Sequence, residues 1–178
     1  MRGVAAVVLA AAVLVGCTDD RAEVEPGPAT ADKVEAIARD HLPEPSSAAP
    51  AELDGSDPRK SVGARLDYGA EHVDVVVGPA GRDPLAQACE VSECDQIETH
   101  VDGATLTLTW QEQVPEEDPG IIVLLLERRE EFSLVRWGGD IAVTDDPREL
   151  DLDVAVDEAV ALLEDDRLRL EVPGTPGG

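Results

Sequence analysis

The sequence predicts an α+β fold: a mostly antiparallel sheet of five to seven strands, with a C-terminal helix packed on one face and a separate N-terminal helix. Three observations predict it. Asp102-Gly103 stands between two runs, 96–101 and 104–111, in which apolar and polar residues alternate. That pattern is the strongest short-range signal for a hairpin closed by a two-residue type I′ turn. Residues 121–126 (Ile-Ile-Val-Leu-Leu-Leu) are apolar on both faces, as a central strand must be. Segments 31–42 and 154–165 instead space their apolar residues at the helical period.

The first of these helices, 30–42 with its cap, is well marked. Thr30 suits the N-cap, Asp32 the positive first turn, and Val34, Ile37, Ala38, His41 and Leu42 share one face before Pro43 stops it. On that stripe His41 reads as a packed or half-exposed helix-end residue rather than a ligand. Residues 43–59 are Pro, Ser, Ala and acid without periodicity, which is linker composition and predicts a loosely joined helix. The body then spans 60–172. Runs 61–68 and 72–77 predict a first hairpin, and Asp83-Pro84 opens a short helix through 85–89.

The Asp102-Gly103 turn sets the register of the next hairpin. Val101 opposes Ala104, Thr99 opposes Leu106 and Ile97 opposes Leu108 on an apolar face. His100 opposes Thr105, Glu98 opposes Thr107 and Gln96 opposes Thr109 on a polar face. A slip of one residue would exchange the faces, so the register is well specified. The polar face is expected to be wet, and Glu98, His100, Thr105 and Thr107 are its candidate contact residues. Residues 112–120 read as a solvated loop, 127–130 as a charged turn and 132–137 as the returning strand, with 141–143 a short extension after Gly138-Gly139. After a turn at 145–148 the chain runs extended to 153, forms the helix 154–165 and ends in a strand or extended tail, 167–172. Residues 173–178 read as a frayed, disordered tail.

The amino terminus carries an address. Arg2 precedes an unbroken Ala/Val/Leu run from Val4 to Val15. A charged start and about a dozen apolar residues read as a secretory signal, too short for the roughly 20 residues of a membrane span. The run ends Leu14-Val15-Gly16-Cys17 and turns polar at once with Thr18-Asp19-Asp20. This stretch resembles the lipobox of bacterial lipoproteins. The resemblance implies removal of a signal peptide, 1–16, by cleavage between Gly16 and Cys17. It also implies a diacylglyceryl group on the Cys17 thiol, and membrane attachment through that lipid on the extracytoplasmic face. Residues 17–29 would then be a tether. With the turn and helix start at 146–160, the mature chain is similar to small uncharacterised lipoproteins of actinobacteria, a resemblance that carries over no catalytic residue.

Acidic residues outnumber basic ones by 39 to 14, for a net charge of −25. Nucleic-acid binding needs clustered Lys and Arg and is excluded on this ground. The acid is spread along the chain without the ordered spacing of a calcium loop, so the charge reads as solubility and self-repulsion. Of the three cysteines, Cys17 is assigned to lipid. Cys89 and Cys94 remain and outside the cytoplasm are expected to form a disulfide, whose short loop contributes roughly 2 kcal/mol. Their spacing and the intervening Glu90 and Glu93 do not suit a redox pair, and no His-rich segment completes a zinc site.

No nucleophile elbow, zinc-protease helix, phosphate-cradling loop or dinucleotide fingerprint is present. Neither cofactor nor metal is expected, nor enzymatic activity. Two readings stand. In the first the chain is a non-enzymatic binding or accessory module that contacts an envelope protein through the Thr-rich face or the early helix. In the second it is a small-ligand or divalent-cation sensor, or a hydrolase with an unrecognised site, and needs a pocket where polar groups converge.

Overall fold

The computed structural model describes residues 29–51, 61–80, 95–101, 103–113 and 120–170. Their elements run α1 (Ala31–Arg39), β1 (Ser47–Pro50), β2 (Val62–Asp67), β3 (Glu71–Pro79), β4 (Asp95–Val101), β5 (Ala104–Gln111), β6 (Ile121–Glu127), β7 (Glu131–Gly139), a 3-10 turn (Pro147–Glu149) and α2 (Val156–Leu163). All seven strands form one antiparallel sheet in the order β1-β2-β3-β7-β6-β5-β4. The α+β class, the C-terminal helix on one face and the N-terminal helix are as the sequence predicts. Among the described residues no helix is long and apolar enough to cross a membrane.

The parity of the strands sorts the sheet into two faces. Leu66, Val73, Val75, Val135, Trp137, Ile122, Leu124, Leu106 and Leu108 point to the face that carries both helices. From α1 come Val34, Ile37 and Ala38, and from α2 come Val156, Ala159, Leu162 and Leu163, all buried in the same core cluster. The Thr30 hydroxyl accepts from Lys33 N–H at 3.2 Å, the N-cap bond that starts α1. Helix α2 starts differently, because Ala155 has no side-chain acceptor. Its Glu158 reaches back instead, and Ala155 N–H donates to Oε2 at 3.0 Å, half of a capping box. Trp137 closes the core by donating its indole N–H to Val154 O at 2.9 Å.

Several boundaries depart from expectation. The 43–59 segment is not linker throughout, because Ser47–Pro50 pairs antiparallel with β2. Backbone bonding along an edge strand needs no side-chain alternation, so Ser-Ala-Ala-Pro gives no sign of it. The early helix is not a free interaction element either. It ends at Arg39, and its apolar stripe is spent in the core beneath β2. Residues 141–143 form no strand, although Ile141 and Val143 are buried and Val143 O accepts from Gln113 N–H at 2.7 Å. Helix α2 is shorter than 154–165 at both ends, and residues 167–170 pair with no strand.

Among the described residues, two clasps tie the segment around α1 to the segment after α2. Asp165 Oδ2 lies 2.7 Å from His41 Nε2, and Arg167 donates to both Asp165 oxygens. Arg167 Nη1 also stands 2.8 Å from Asp40 Oδ2, an ion pair without good hydrogen-bond alignment. At the margin of the described body, Ala29 N–H donates to Leu170 O at 3.3 Å.

The opposite face has its own small apolar cluster of Val76, Leu125 and Phe132, with Ala51 and Leu134 against it. Beside this cluster Asp74 is 1% exposed and held by two arginines. Arg65 donates Nε and Nη2 to its two oxygens at 2.7 and 3.0 Å, and Arg136 Nη2 donates to Oδ2 at 2.6 Å. Gly78 lies under the Phe132 ring, where a Cβ would come 2.6 Å from ring carbon Cζ.

Candidate functional site

The predicted hairpin register is observed pair for pair, from Val101↔Ala104 to Gln96↔Thr109. Gly103 has φ +79°, the left-handed conformation that its turn demands of it. The four candidate contact residues do share one face, yet they are not equally accessible. Glu98 and His100 on the edge strand β4 are exposed, with His100 Nε2 3.5 Å from Glu98 Oε1 and Nδ1 3.3 Å from the Thr105 hydroxyl. Thr105 is half-buried, while Thr107 is buried and Thr109 with it. The expectation of a wet face therefore fails on β5. That strand is flanked on both sides, and β6 sets Leu125 and Val123 beside Thr107 and Thr109. Cys17, Gly16, Cys89 and Cys94 lie outside the described residues, as do the 1–16 signal, most of the tether, the 85–89 helix and the 173–178 tail.

The described residues form a cavity of about 420 Å³ elsewhere, on the helix-bearing side at the far end of the sheet. Its size falls in the range of small-molecule sites. Val101, Gly103 and Ala104 of the β4–β5 turn form one wall and Leu126 the floor. The charged lining is Arg128 from the β6–β7 turn, with Glu164, Asp166 and Arg169 from the segment after α2.

Arg128 gives the cavity its character. The sequence places it in a four-charge turn, where a solvated side chain is expected. Instead it folds back beneath the end of α2. Its Nη2 donates to Leu163 O at 2.7 Å and its Nη1 to the Ser133 hydroxyl at 3.1 Å. Leu163 is the last residue of a helix with no basic residue in its own final turn, so Arg128 supplies the cation that the negative helix end favours. Both partners are neutral. Among the described residues, the other half-buried arginines, Arg39, Arg65, Arg136, Arg167 and Arg169, each contact a carboxylate. Arg128 contacts none.

Its surroundings sharpen the imbalance. Burial, and then the nearby Arg169 cation, lower the Arg128 pKa from its ordinary value, while Glu131 and Asp166 act through space in the other direction. Arg169 is held by Glu131 at 3.4 Å and Asp166 at 2.7 Å, but its Nε is buried without an acceptor among the described residues. The cavity thus brings together two guanidiniums and two exposed carboxylates. Among the described residues Arg128 is the half-buried arginine without a carboxylate in contact.

Neither a family model, a curated protein nor a solved structure matches this chain. Among the described residues, no group of three or more His, Cys, Asp or Glu is placed to hold a metal ion.

Proposed function

We propose that the chain is a lipid-anchored, extracytoplasmic, non-enzymatic binding module of a bacterial envelope, and that the cavity at Arg128 is where it binds a small ligand. The address rests on the lipobox-like Leu14-Val15-Gly16-Cys17 motif. The binding role rests on one observation: Arg128 is half-buried, fixed in place by two neutral acceptors and lacks a carboxylate partner among the described residues. A fixed, partly desolvated guanidinium lining a cavity suits recognition of an anionic group, since its position is set before binding. The cavity favours the small-ligand reading over a protein adaptor, which keeps one specific surface in its support, the exposed edge strand β4 with Glu98 and His100.

Two measurements test this. Growth of the producing bacterium with an alkynyl fatty acid should label the wild-type chain and leave Cys17→Ala unlabelled; labelling of both, or of neither, refutes the anchor. A thermal-shift screen of small carboxylates, amines and divalent cations should raise the melting temperature with carboxylates and lose that response in Arg128→Gln. A response to carboxylates that survives Arg128→Gln refutes the site.

A further inference from the structure

Strand β4 is an edge of the described sheet, and it lacks the defences that edges carry. The other edge, β1, is four residues long and ends in Pro50. A short strand closed by proline offers little to a second chain. Strand β4 runs seven residues with neither Pro nor Lys, and five of the seven are exposed. Its hairpin pairing fixes which backbone groups point outward. Val101↔Ala104 closes a two-residue turn, so it is a hydrogen-bonded pair, and such pairs alternate along the ladder. Val101, Thr99 and Ile97 therefore bond inward to β5. Gln96, Glu98 and His100 direct N–H and C=O away from it, to a side where no described strand lies.

We propose that two copies of this chain join through β4, antiparallel and centred on Thr99, into one continuous sheet. The side chains of the strand are self-complementary in that register. Glu98 stands opposite His100 of the second copy, and His100 opposite its Glu98, on the face away from the helices. On the other face Ile97 meets Val101 of the second copy, again twice, and Thr99 meets its own counterpart. Ile97 and Val101 are both partly buried and Ile97 packs against the core cluster, so the seam extends an apolar surface already begun. Acid facing imidazole, apolar facing apolar and Thr facing Thr are the cross-strand pairs that stabilise a sheet. Centring on Glu98 instead sets two carboxylates together, and centring on Ile97 takes Glu98 from His100 to Gln96. Glu98 and His100 are 50% and 76% exposed and 3.5 Å apart within one chain, so both can turn toward a second copy. Each chain carries a net charge of −25. That repulsion is long-range and is screened over about 8 Å at about 0.15 M salt, whereas the contacts of the seam are short-range.

The test uses the full lipidated chain in detergent, with micelles in large excess over protein. Sedimentation velocity should show a concentration-dependent equilibrium between monomer and dimer. His100→Glu sets two carboxylates face to face at both ends of the seam and should weaken the dimer about tenfold. Adding Glu98→His exchanges the two groups and should restore most of the loss. Both positions are exposed, so circular dichroism should report an unchanged fold. Thr99→Cys reads the register. The Cα atoms of a facing pair without hydrogen bonds stand about 4.5 Å apart, within the span of a disulfide. Mild oxidation should therefore link Thr99→Cys chains in pairs, and much faster than Gln96→Cys chains, whose thiols would lie about 20 Å apart. A chain that is monomeric at every concentration overturns the proposal and leaves the edge to a strand of another protein. A dimer indifferent to His100→Glu, one not recovered by the exchange, or one in which Gln96→Cys links as fast as Thr99→Cys overturns this seam.

Discussion

Asp165 Oδ2 lies 2.7 Å from His41 Nε2, joining the end of α1 to the segment after α2 across 124 residues of sequence. Burial raises the pKa of this carboxyl, but hydrogen bonds from Arg167 and then His41 outweigh it and hold the group well below the usual carboxylate range. A depressed folded-state pKa contributes stability that is fully present above the unfolded value of about 4 and is lost as pH falls below it. Asp165→Asn should cost about 2 kcal/mol at neutral pH. The variant should lose less stability than wild type between neutral pH and pH values below that unfolded carboxylate range. Urea unfolding followed by circular dichroism at several pH values checks this, and parallel pH profiles for the two chains would contradict it.

Asp74 makes a similar clasp on the other face of the sheet, between Arg65 and Arg136. Burial raises its pKa, and hydrogen bonds from Arg65 and then Arg136 reverse the direction to a net lowering. Removing the carboxylate leaves two guanidiniums facing each other. Asp74→Ala should cost about 3 kcal/mol in urea unfolding. Pairing it with Arg136→Met should restore part of that loss, because one uncompensated cation is gone. A double variant no more stable than Asp74→Ala would rule out this explanation.

Tyr68 is the one tyrosine in the chain, so its phenolate absorbance can be read without overlap. Its hydroxyl donates to Pro43 O at 3.2 Å. Burial, and then the Glu158 charge, push its pKa up to about 12. The unfolded value is about 10, so stability is unaffected below that pH and falls as pH rises toward the folded value. Titration of the native protein should show a midpoint near the raised value, and denatured protein one near 10. Coincident midpoints would contradict the packing of α1 and its following turn against this ring.

Gly78 and Phe132 are register partners, with the ring laid over the glycine. A Cβ at Gly78 would meet Phe132 Cζ at 2.6 Å and the Ser61 hydroxyl at 2.5 Å. Gly78→Ala should therefore destabilise by about 1–3 kcal/mol through overpacking. Adding Phe132→Leu should cost less than the sum of the two single changes, since the clash partner is reduced. Simple additivity in denaturant unfolding would show that the ring has room to move.

The hairpin from β4 to β5 was legible residue by residue, because alternation and Asp102-Gly103 both act locally. Strand β6 was legible as central, because only a strand covered on both faces tolerates six apolar residues in a row. Strand β1 was not legible: Ser47–Pro50 is held by backbone pairing to β2, and its composition is that of a loop. Docking of α1 was equally out of reach, since an amphipathic stripe says that a helix has a partner and not which one. Arg128 shows the same limit at the candidate site. Its acceptor Leu163 lies 35 residues away, and only the folded chain turns a charged loop residue into a half-buried donor. The sequence reads Thr107 as wet because strand alternation assigns a face and not what neighbours that face.

The Ala29–Leu170 hydrogen bond has a bearing on orientation. It brings the start of the described body within one residue of Arg169, so the chain enters at the same end that holds the cavity mouth. For a molecule hung from a lipid on Cys17, the leash to Ala29 is at most about 40 Å of extended chain. A leash of that length would keep the cavity mouth near the membrane surface.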